Sequence, residues 1–357
     1  MTEIAAARPG VAASRRWVAT WLLVVCAFVF AMVVLGGVTR LTGSGLSIVD
    51  WRPITGVLPP LGDAAWAEAF ARYRQFPEYQ SVNQGMTLAG FKSIFWFEFV
   101  HRLVGRVLGI VFIVPFLWFL IGGRIERSLT PKLVIMFVLG GAQGLLGWYM
   151  VQSGLVERPD VSHLRLTAHL GLAVAIYGYI LWVALDLLYP AGAGIHAEPP
   201  ARKLAAGLRA LVPWVFLVIL SGGLVAGLDA GLAYNTFPLM DGDIVPAGFL
   251  AQSPWPANFI GNAITVQADH RLLAVVTAIA VVVLWLWGQG QRLPARLGLA
   301  LHGLLAAAAL QVALGILTLL LVVPIPLAAA HQAGALGLFT AALIAAHAAR
   351  RLRPGQL

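Results

Sequence analysis

Residues 17–38, WVATWLLVVCAFVFAMVVLGGV, decide the fold because they form an apolar run long enough to cross a membrane. A transmembrane helix needs about 20 such residues, whereas a signal-peptide core has only about 7–15. We therefore expect a retained first helix. Composition agrees, since 60% of the 357 residues are hydrophobic and 11% are charged, against about 25% charged in soluble domains. The chain is predicted to be an integral membrane protein.

Seven further apolar runs follow, so the predicted fold is all-α with eight transmembrane helices, TM1 to TM8. The predicted spans are Trp17–Val38, Ser93–Ile121, Lys132–Val151, His163–Leu188, Leu208–Leu228, Thr265–Trp287, Leu297–Val322 and Leu327–Ala349. The net charge of +9 does not indicate nucleic-acid binding, because the basic residues form short clusters between apolar runs rather than a stripe with interleaved aromatics.

These basic clusters predict the orientation. They lie in the N-terminal segment, in alternate loops and in the tail, at Arg8, Arg15, Arg16, Arg124, Arg127, Lys132, Arg202, Lys203, Arg209, Arg292, Arg296, Arg350, Arg351 and Arg353. The short loops on the opposite side carry only Arg158, or Arg158 and Arg165 if the start of TM4 is included. By the positive-inside rule, both termini are expected in the cytoplasm.

Three connections differ from the short ones. The outer segments Thr39–Lys92 and Asp229–Val266 are long and rich in Gly, Pro and Trp, so we expect loops with little secondary structure that act as lids or binding surfaces. The stretch Pro190–Arg202 is rich in Pro and Ala and is predicted to be a linker between two halves.

The two halves repeat the same landmarks in the same order, which indicates an internal duplication. GGVTRLTGSGLSIVDWRPITG begins at Gly36, and GGLVAGLDAGLAYNTFPLMDG begins at Gly222. The other matched landmarks are EFVHRLVG from Glu98 with QADHRLLA from Gln267, Gln143-x-x-x-Gly147 with Gln311-x-x-x-Gly315, and Ala168-His169 with Ala330-His331. We therefore predict two tandem four-helix bundles, residues 1–190 and 191–357. They are expected to be parallel repeats, related by a pseudo-two-fold axis along the membrane normal.

Four histidines are the candidate metal ligands, because each lies near the outer end of an even-numbered helix: His101, His169, His270 and His331. Ionisable groups inside a membrane are costly and usually functional. Without a Cys, Asp or Glu cluster to complete a zinc shell, a histidine pair in each bundle suits the iron of a haem. Cys26 is the single cysteine, so covalent CxxCH attachment is excluded.

Other residues complete the predicted haem sites. Arg102 and Arg271 each follow a histidine and either pair with haem propionates or extend toward the lipid head groups. Glycines that leave room for a flat macrocycle are expected at Gly105, Gly109, Gly171 and Gly334. We expect the remaining histidines to be solvated or interfacial: His163, His196, His302 and His347.

One difference between the repeats points to chemistry. Glu98 precedes His101 by three residues and shares its helix face, while the equivalent residue of the second half is Gln267. A carboxylate at membrane depth is expensive unless it is neutral or paired, so Glu98 is either an acid/base or cation-stabilising group or a structural partner, for example of Arg102. The first interpretation makes the N-terminal bundle reactive and the C-terminal bundle the electron-transfer unit.

The segments GGVTRLTGSGLSIVDWRPITG, EFVHRLVGR, AHL and AHQAGAL resemble the haem A synthase family of alphaproteobacteria and mitochondria, over nearly the whole chain. The resemblance implies an oxidoreductase of a bacterial inner membrane that converts the C8 methyl group of haem O into a formyl group, with water as the oxygen source. It implies that His101 and His169 bind the substrate haem, that Glu98 is catalytic, and that His270 and His331 bind a permanent haem b.

The resemblance also implies partners: haem O synthase, membrane lipid, an electron acceptor that the residues do not identify, and further copies of the chain. Two other classes of protein fit part of the pattern. A di-haem b electron-transfer protein would use the four histidines but not the difference between Glu98 and Gln267. A repeat-based transporter would have broken helices and ionisable groups at the membrane midplane, whereas these polar groups lie near one face.

Overall fold

The computed structural model of the chain describes residues 9–51, 55–156, 159–190, 195–196 and 198–353. Within these residues it contains eight helices that are long and apolar enough to span a membrane, which confirms the predicted fold class. TM1 to TM8 are Pro9–Leu41, Leu88–Ile121, Thr130–Val156, His163–Leu188, Pro199–Gly227, Ala263–Gln289, Ala295–Leu320 and Ile325–Ala349. The protein is a multi-pass membrane protein.

Three helix starts differ from the prediction by five residues or more, and TM1 begins at Pro9 rather than Trp17. TM5 begins at Pro199 rather than Leu208, because proline is well tolerated in the first turn of a helix, where its missing N–H would be unpaired anyway. The predicted linker Pro190–Arg202 was therefore wrong in its last part. TM2 begins at Leu88 rather than Ser93, with the Thr87 hydroxyl accepting a hydrogen bond from the Gly90 amide.

The expectation of two outer loops with little secondary structure was wrong for the first loop. The first contains the helices Gly62–Tyr73 and Pro77–Ser81. Their aromatic side chains pack on the early turns of TM2 in a cluster around Trp66, Tyr73, Phe91, Phe95 and Phe99. The second contains the short helices Ala230–Leu232, Trp255–Ala257 and Asn258–Gly261. The first turns of TM2 therefore belong to a folded outer layer, and His101 lies more than three turns into its helix.

The centre of the molecule is formed by TM1, TM4, TM5 and TM8. TM1 packs on TM4, and TM5 packs on TM8, within each half of the chain. TM4 also packs on TM5, and TM8 on TM1, between the halves. One continuous apolar core includes residues of all four helices. The pseudo-two-fold axis and the boundaries of the two bundles stay predictions, and this pattern of pairs is what such an axis requires.

Polar contacts fasten both ends of the bundle. Arg40, at the end of TM1, pairs with Asp229 after TM5 at 2.6 Å. At the opposite end Arg15 pairs with Glu126 at 2.6 Å, and residues 195–196 form a parallel strand pair with residues 352–353. The orientation of these ends across the membrane stays a prediction, and Arg8 and Arg158 lie outside the described residues.

The prediction that His347 is solvated or interfacial was wrong. Its side chain is 1% exposed and lies 3.1 Å from the Asp186 carboxylate on TM4. Arg350 also donates to this carboxylate, and the Trp182 ring packs edge-on against the imidazole. The imidazole can be buried here because the Asp186 carboxylate provides a hydrogen-bond partner for its Nε2 atom. The contact also joins a helix of the first half to a helix of the second.

Candidate functional site

Each of the four candidate histidines rests against a glycine on a neighbouring odd-numbered helix. A Cβ atom built at that glycine would lie between 2.8 and 3.2 Å from the Cε1 atom of the imidazole. The pairs are Gly36 with His101 at 3.0 Å, Gly147 with His169 at 2.9 Å, Gly222 with His270 at 3.2 Å, and Gly315 with His331 at 2.8 Å. A Cβ at Gly147 or Gly315 would force the imidazole to shift, and one at Gly36 or Gly222 would make a tight contact, so the glycines leave the space that the rings occupy.

The C-terminal pair has the spacing that a metal between two imidazoles requires. The ring centroids of His270 and His331 are 6.4 Å apart, and their planes are perpendicular. Two metal–imidazole bonds of about 2 Å, with half a ring at each end, span roughly 6 Å. The residues therefore fit a six-coordinate haem iron held from both faces.

The N-terminal histidines are seated in the same way, since His101 lies against Gly36 and His169 against Gly147. All four histidines are partly buried rather than directed fully at the surrounding lipid. Among the described residues, no group of three or more His, Cys, Asp or Glu side chains could hold a metal ion. In the described part of the chain, these histidines therefore do not belong to a larger cluster of such side chains.

The two pairs differ in the surroundings of their ring nitrogens. The Nδ1 atom of His270 lies 2.8 Å from the Ser221 hydroxyl. The Nδ1 atoms of His101, His169 and His331 are buried and have no hydrogen-bond partner in the described part of the chain, so the difference between the pairs lies at His270. Gln143 donates to the backbone carbonyl of His169 at 3.0 Å and places the same amide nitrogen 3.4 Å from His169 Nε2.

The arginine after each TM2 or TM6 histidine holds the outer loop. Arg102 donates to the carbonyls of Ile48 at 2.7 Å and Asp50 at 3.0 Å. Arg271 donates to those of Tyr234 and Thr236, both at 2.8 Å. The four acceptors are matched residues, since they lie at the same two offsets after Gly36 and Gly222. Neither alternative from the sequence, a propionate or a head group, included this loop contact.

Glu98 is buried, with 3% of the residue exposed, and is surrounded by donors. It accepts hydrogen bonds from the Ser47 hydroxyl and the Ile48 amide, both at 2.7 Å, and from Arg102 at 2.6 Å. Gln267, which is equally buried, instead donates to the Tyr234 carbonyl at 2.9 Å. Three donors suit an ionised carboxylate, so the pairing with Arg102 considered from the sequence is present.

A second buried carboxylate, Glu78, lies in the outer layer. It accepts a hydrogen bond from the Tyr73 hydroxyl at 3.0 Å, and Asn83 donates to that hydroxyl at 2.7 Å. Burial raises the pKa of Glu78 to about 7. Sequence reasoning missed this residue because nothing in its local pattern separates it from a solvated acid.

The prediction that four glycines leave room for a haem macrocycle was only partly right. Gly109 has open space beside it, whereas Leu220 fills the space at Gly171 and Gln311 fills the space at Gly334. The prediction was wrong for Gly171 and Gly334, because neighbouring side chains occupy the space beside them. The glycines that seat the histidines were visible in the sequence as repeat landmarks, but their contact with the rings was not predicted.

Comparison with known proteins places the chain among close relatives. The COX15-CtaA family model, described as cytochrome oxidase assembly protein, matches residues 19–343. The heme A synthase of Nitrosospira multiformis is 56% identical over 334 residues, or 94% of each chain. That of Rhodospirillum centenum is 51% identical, over 91% of this chain and 86% of its own. Heme A synthase COX15 of Arabidopsis thaliana is 45% identical, over 96% of this chain and 77% of its own. The matched region includes Glu98 and the four histidines.

Proposed function

Because the chain belongs to the COX15-CtaA family of cytochrome oxidase assembly proteins, we propose that it is a haem A synthase, an oxidoreductase that converts haem O into haem A. The observation that carries this proposal is the pair His270 and His331, whose ring centroids lie 6.4 Å apart, a spacing that suits an iron atom between the two imidazoles. Relatives named heme A synthase that align over more than nine-tenths of this chain support the activity.

The two pairs are proposed to hold different haems. In residues 191–357, His270 and His331 would hold a resident haem b, which would supply electron transfer. In residues 1–190, His101 and His169 bind the substrate haem O. The difference between Glu98 and Gln267 supports this division, because only the first half places a carboxylate one helical turn from a ligand histidine.

The reaction sets what the protein must provide. Conversion of a methyl group and one water molecule into a formyl group releases four protons and four electrons, which would leave through the proposed haem b to an external electron acceptor. Positive charge develops next to the haem ring as electrons leave, and a fixed negative charge at Glu98 would stabilise it. Ser47, Ile48 and Arg102 hold that carboxylate in one orientation, so little reorganisation is needed when the charge appears.

The outer layer is proposed to close the substrate site. The backbone segment around Ile48 is held by both Arg102 and Glu98, and its neighbours pack against the aromatic cluster of TM2. Such a cover limits water at the site, which strengthens electrostatic interactions there. Contacts of Arg102 and Arg271 with haem propionates stay predictions, since both side chains already bind loop carbonyls.

We propose a bacterial inner-membrane location with both termini in the cytoplasm and both haem sites toward the outer face. The basic clusters at the end that contains the termini support this orientation. Haem O synthase and further copies of the chain are proposed partners, because a hydrophobic substrate is best delivered within the membrane.

The test is expression of the chain in a bacterial host that makes haem O but lacks its own haem A synthase, followed by haem extraction and chromatography. We expect haem A to appear together with the protein. Accumulation of haem O alone, with a normal Soret band in the purified protein, would instead indicate the di-haem electron carrier. A purified chain without a Soret band would contradict both functions.

A further inference from the structure

His270 and His101 occupy matched positions on TM6 and TM2, yet their Nδ1 atoms meet different residues. Ser221 immediately precedes Gly222, the glycine that seats His270. In the first half the residue before Gly36 is Leu35. A hydroxyl in one repeat is therefore replaced by an isobutyl group at the matched position of the other.

The hydrogen bonds of Ser221 determine which ring nitrogen of His270 carries the proton. The Ser221 hydroxyl donates to the Val218 carbonyl at 2.8 Å, so its lone pairs are left to accept from His270 Nδ1–H at 2.8 Å. The Nε2 atom is then unprotonated and has its lone pair available for iron. Partners of this kind fix the ring orientation and increase the basicity of metal-ligating histidines.

The N-terminal pair has no such arrangement in the described residues. His101 Nδ1 is buried without a hydrogen-bond partner, so neither tautomer is favoured by a partner there. On the opposite ligand, the Gln143 amide nitrogen lies 3.4 Å from His169 Nε2, where an N–H group competes for the lone pair that iron would use. Both features weaken iron binding in this half.

We propose that Ser221 is a positioning residue that makes the C-terminal site retain its haem, and that Leu35 at the matched position leaves the N-terminal site able to exchange its haem. This inference rests on the proposed function, because an enzyme that modifies haem must release one haem and keep the other. The distinction is carried by a single hydroxyl group between otherwise similar pairs.

The experiment uses the purified full-length protein, loaded with haem b, in lipid nanodiscs. Haem transfer to excess apomyoglobin gives the dissociation rate of each site, and redox titration gives the midpoint potential of the low-spin haem. His101→Ala and His270→Ala variants assign the slow and fast phases to their sites. The variants compared are Ser221→Ala, Ser221→Thr, which keeps the hydroxyl, Leu35→Ser, and Leu35→Ala as the control for side-chain size.

We expect Ser221→Ala to release the C-terminal haem about 10–100 times faster, the range for loss of a partner of a metal-ligating histidine, and to raise its midpoint potential because the imidazole becomes a weaker donor. Ser221→Thr should restore both values. Leu35→Ser should slow the N-terminal phase, whereas Leu35→Ala should not. An unchanged dissociation rate and potential in Ser221→Ala would overturn the inference while leaving the proposed activity intact.

Failure of the proposed function gives a different result. If His270→Ala keeps the slowly released low-spin haem, the C-terminal pair is not the resident site, and the inference fails together with that assignment. Absence of haem A from cells that express the unaltered chain would overturn the activity alone, because dissociation rates are measured without turnover.

Discussion

The Glu98 carboxylate accepts a hydrogen bond from the backbone amide of Ile48 at 2.7 Å. In the second half the residue that matches Ile48 is Tyr234, and the Gln267 side chain donates a hydrogen bond to its backbone carbonyl. The same piece of backbone is thus bound through opposite polarity, because a carboxylate can only accept while an amide can also donate. The difference between the halves therefore extends beyond one side chain to the backbone group that it binds in the loop over each site.

Glu98→Gln is expected to stop the conversion of haem O without removing either haem. The amide has nearly the same shape but lacks the negative charge, and loss of an acid/base group typically costs about 10²–10⁴-fold in rate. Haem O and haem A in membranes are measured by chromatography, and haem content by the pyridine haemochrome spectrum.

The matched control is Gln267→Glu, which places a carboxylate in the second half. It should leave a measurable yield of haem A, since the substrate site is untouched. Normal haem A output from Glu98→Gln would show that this carboxylate is only a structural partner of Arg102 and the loop.

His270→Ala is expected to lose the resident haem b, while His101→Ala keeps it. Each change removes one proposed ligand from one pair. The imidazoles of His270 and His331, 6.4 Å apart, are both expected to be needed to hold the haem between them. Low-spin haem per polypeptide, measured by absorbance of the purified variants, distinguishes the two. Equal haem loss in both variants would mean that the two pairs do not form independent sites.

The number and type of the helices could be predicted from the sequence because apolar length alone sets them. The four histidines could be predicted as a group because they recur in both repeats. The outer layer could not, since the packing of Trp66 on Phe95, with ring centroids 4.9 Å apart, joins residues far apart in the chain and leaves no local period. The same limit hid Ser221, whose role depends on a histidine on another helix.

Gly315→Ala is expected to reduce haem occupancy of the C-terminal site. The added Cβ would lie 2.8 Å from His331 Cε1, closer than van der Waals contact allows, so the ring must tilt away from the axis that it shares with His270. Gly303→Ala on the same helix serves as the control, because a Cβ built there meets nothing within 4 Å outside its own helix backbone. Haem stoichiometry of the two purified variants checks this, and equal occupancy would show that the ring has room to move.

Asp186→Asn should lower the melting temperature of the protein. Asp186 binds His347, whose side chain is fully buried, and Arg350, and it joins TM4 to the end of TM8. Leaving such partners unsatisfied costs about 1–3 kcal/mol. The control Glu126→Gln removes the more exposed pair with Arg15, for which about 0–1 kcal/mol is expected. Thermal unfolding in detergent measures the melting temperature of both variants. A larger decrease in Glu126→Gln than in Asp186→Asn would contradict the prediction.

Glu78 makes the stability of the protein depend on pH. Burial raises its pKa from 4.5 to about 7, so between these values the folded protein binds this proton more tightly than the unfolded chain does. The free energy of unfolding contributed by Glu78 therefore falls as the pH rises from about 4.5 to about 7 and is constant above that window.

Glu78→Gln cannot lose a proton and should remove this slope, which makes the variant more stable than the unaltered protein at pH 8. Melting temperatures measured from pH 5 to pH 8 test the difference, with Glu68→Gln as the control, since the Glu68 side chain is 70% exposed on the neighbouring helix. Parallel pH profiles for Glu78→Gln and the unaltered protein would show that the carboxyl group is hydrated in solution.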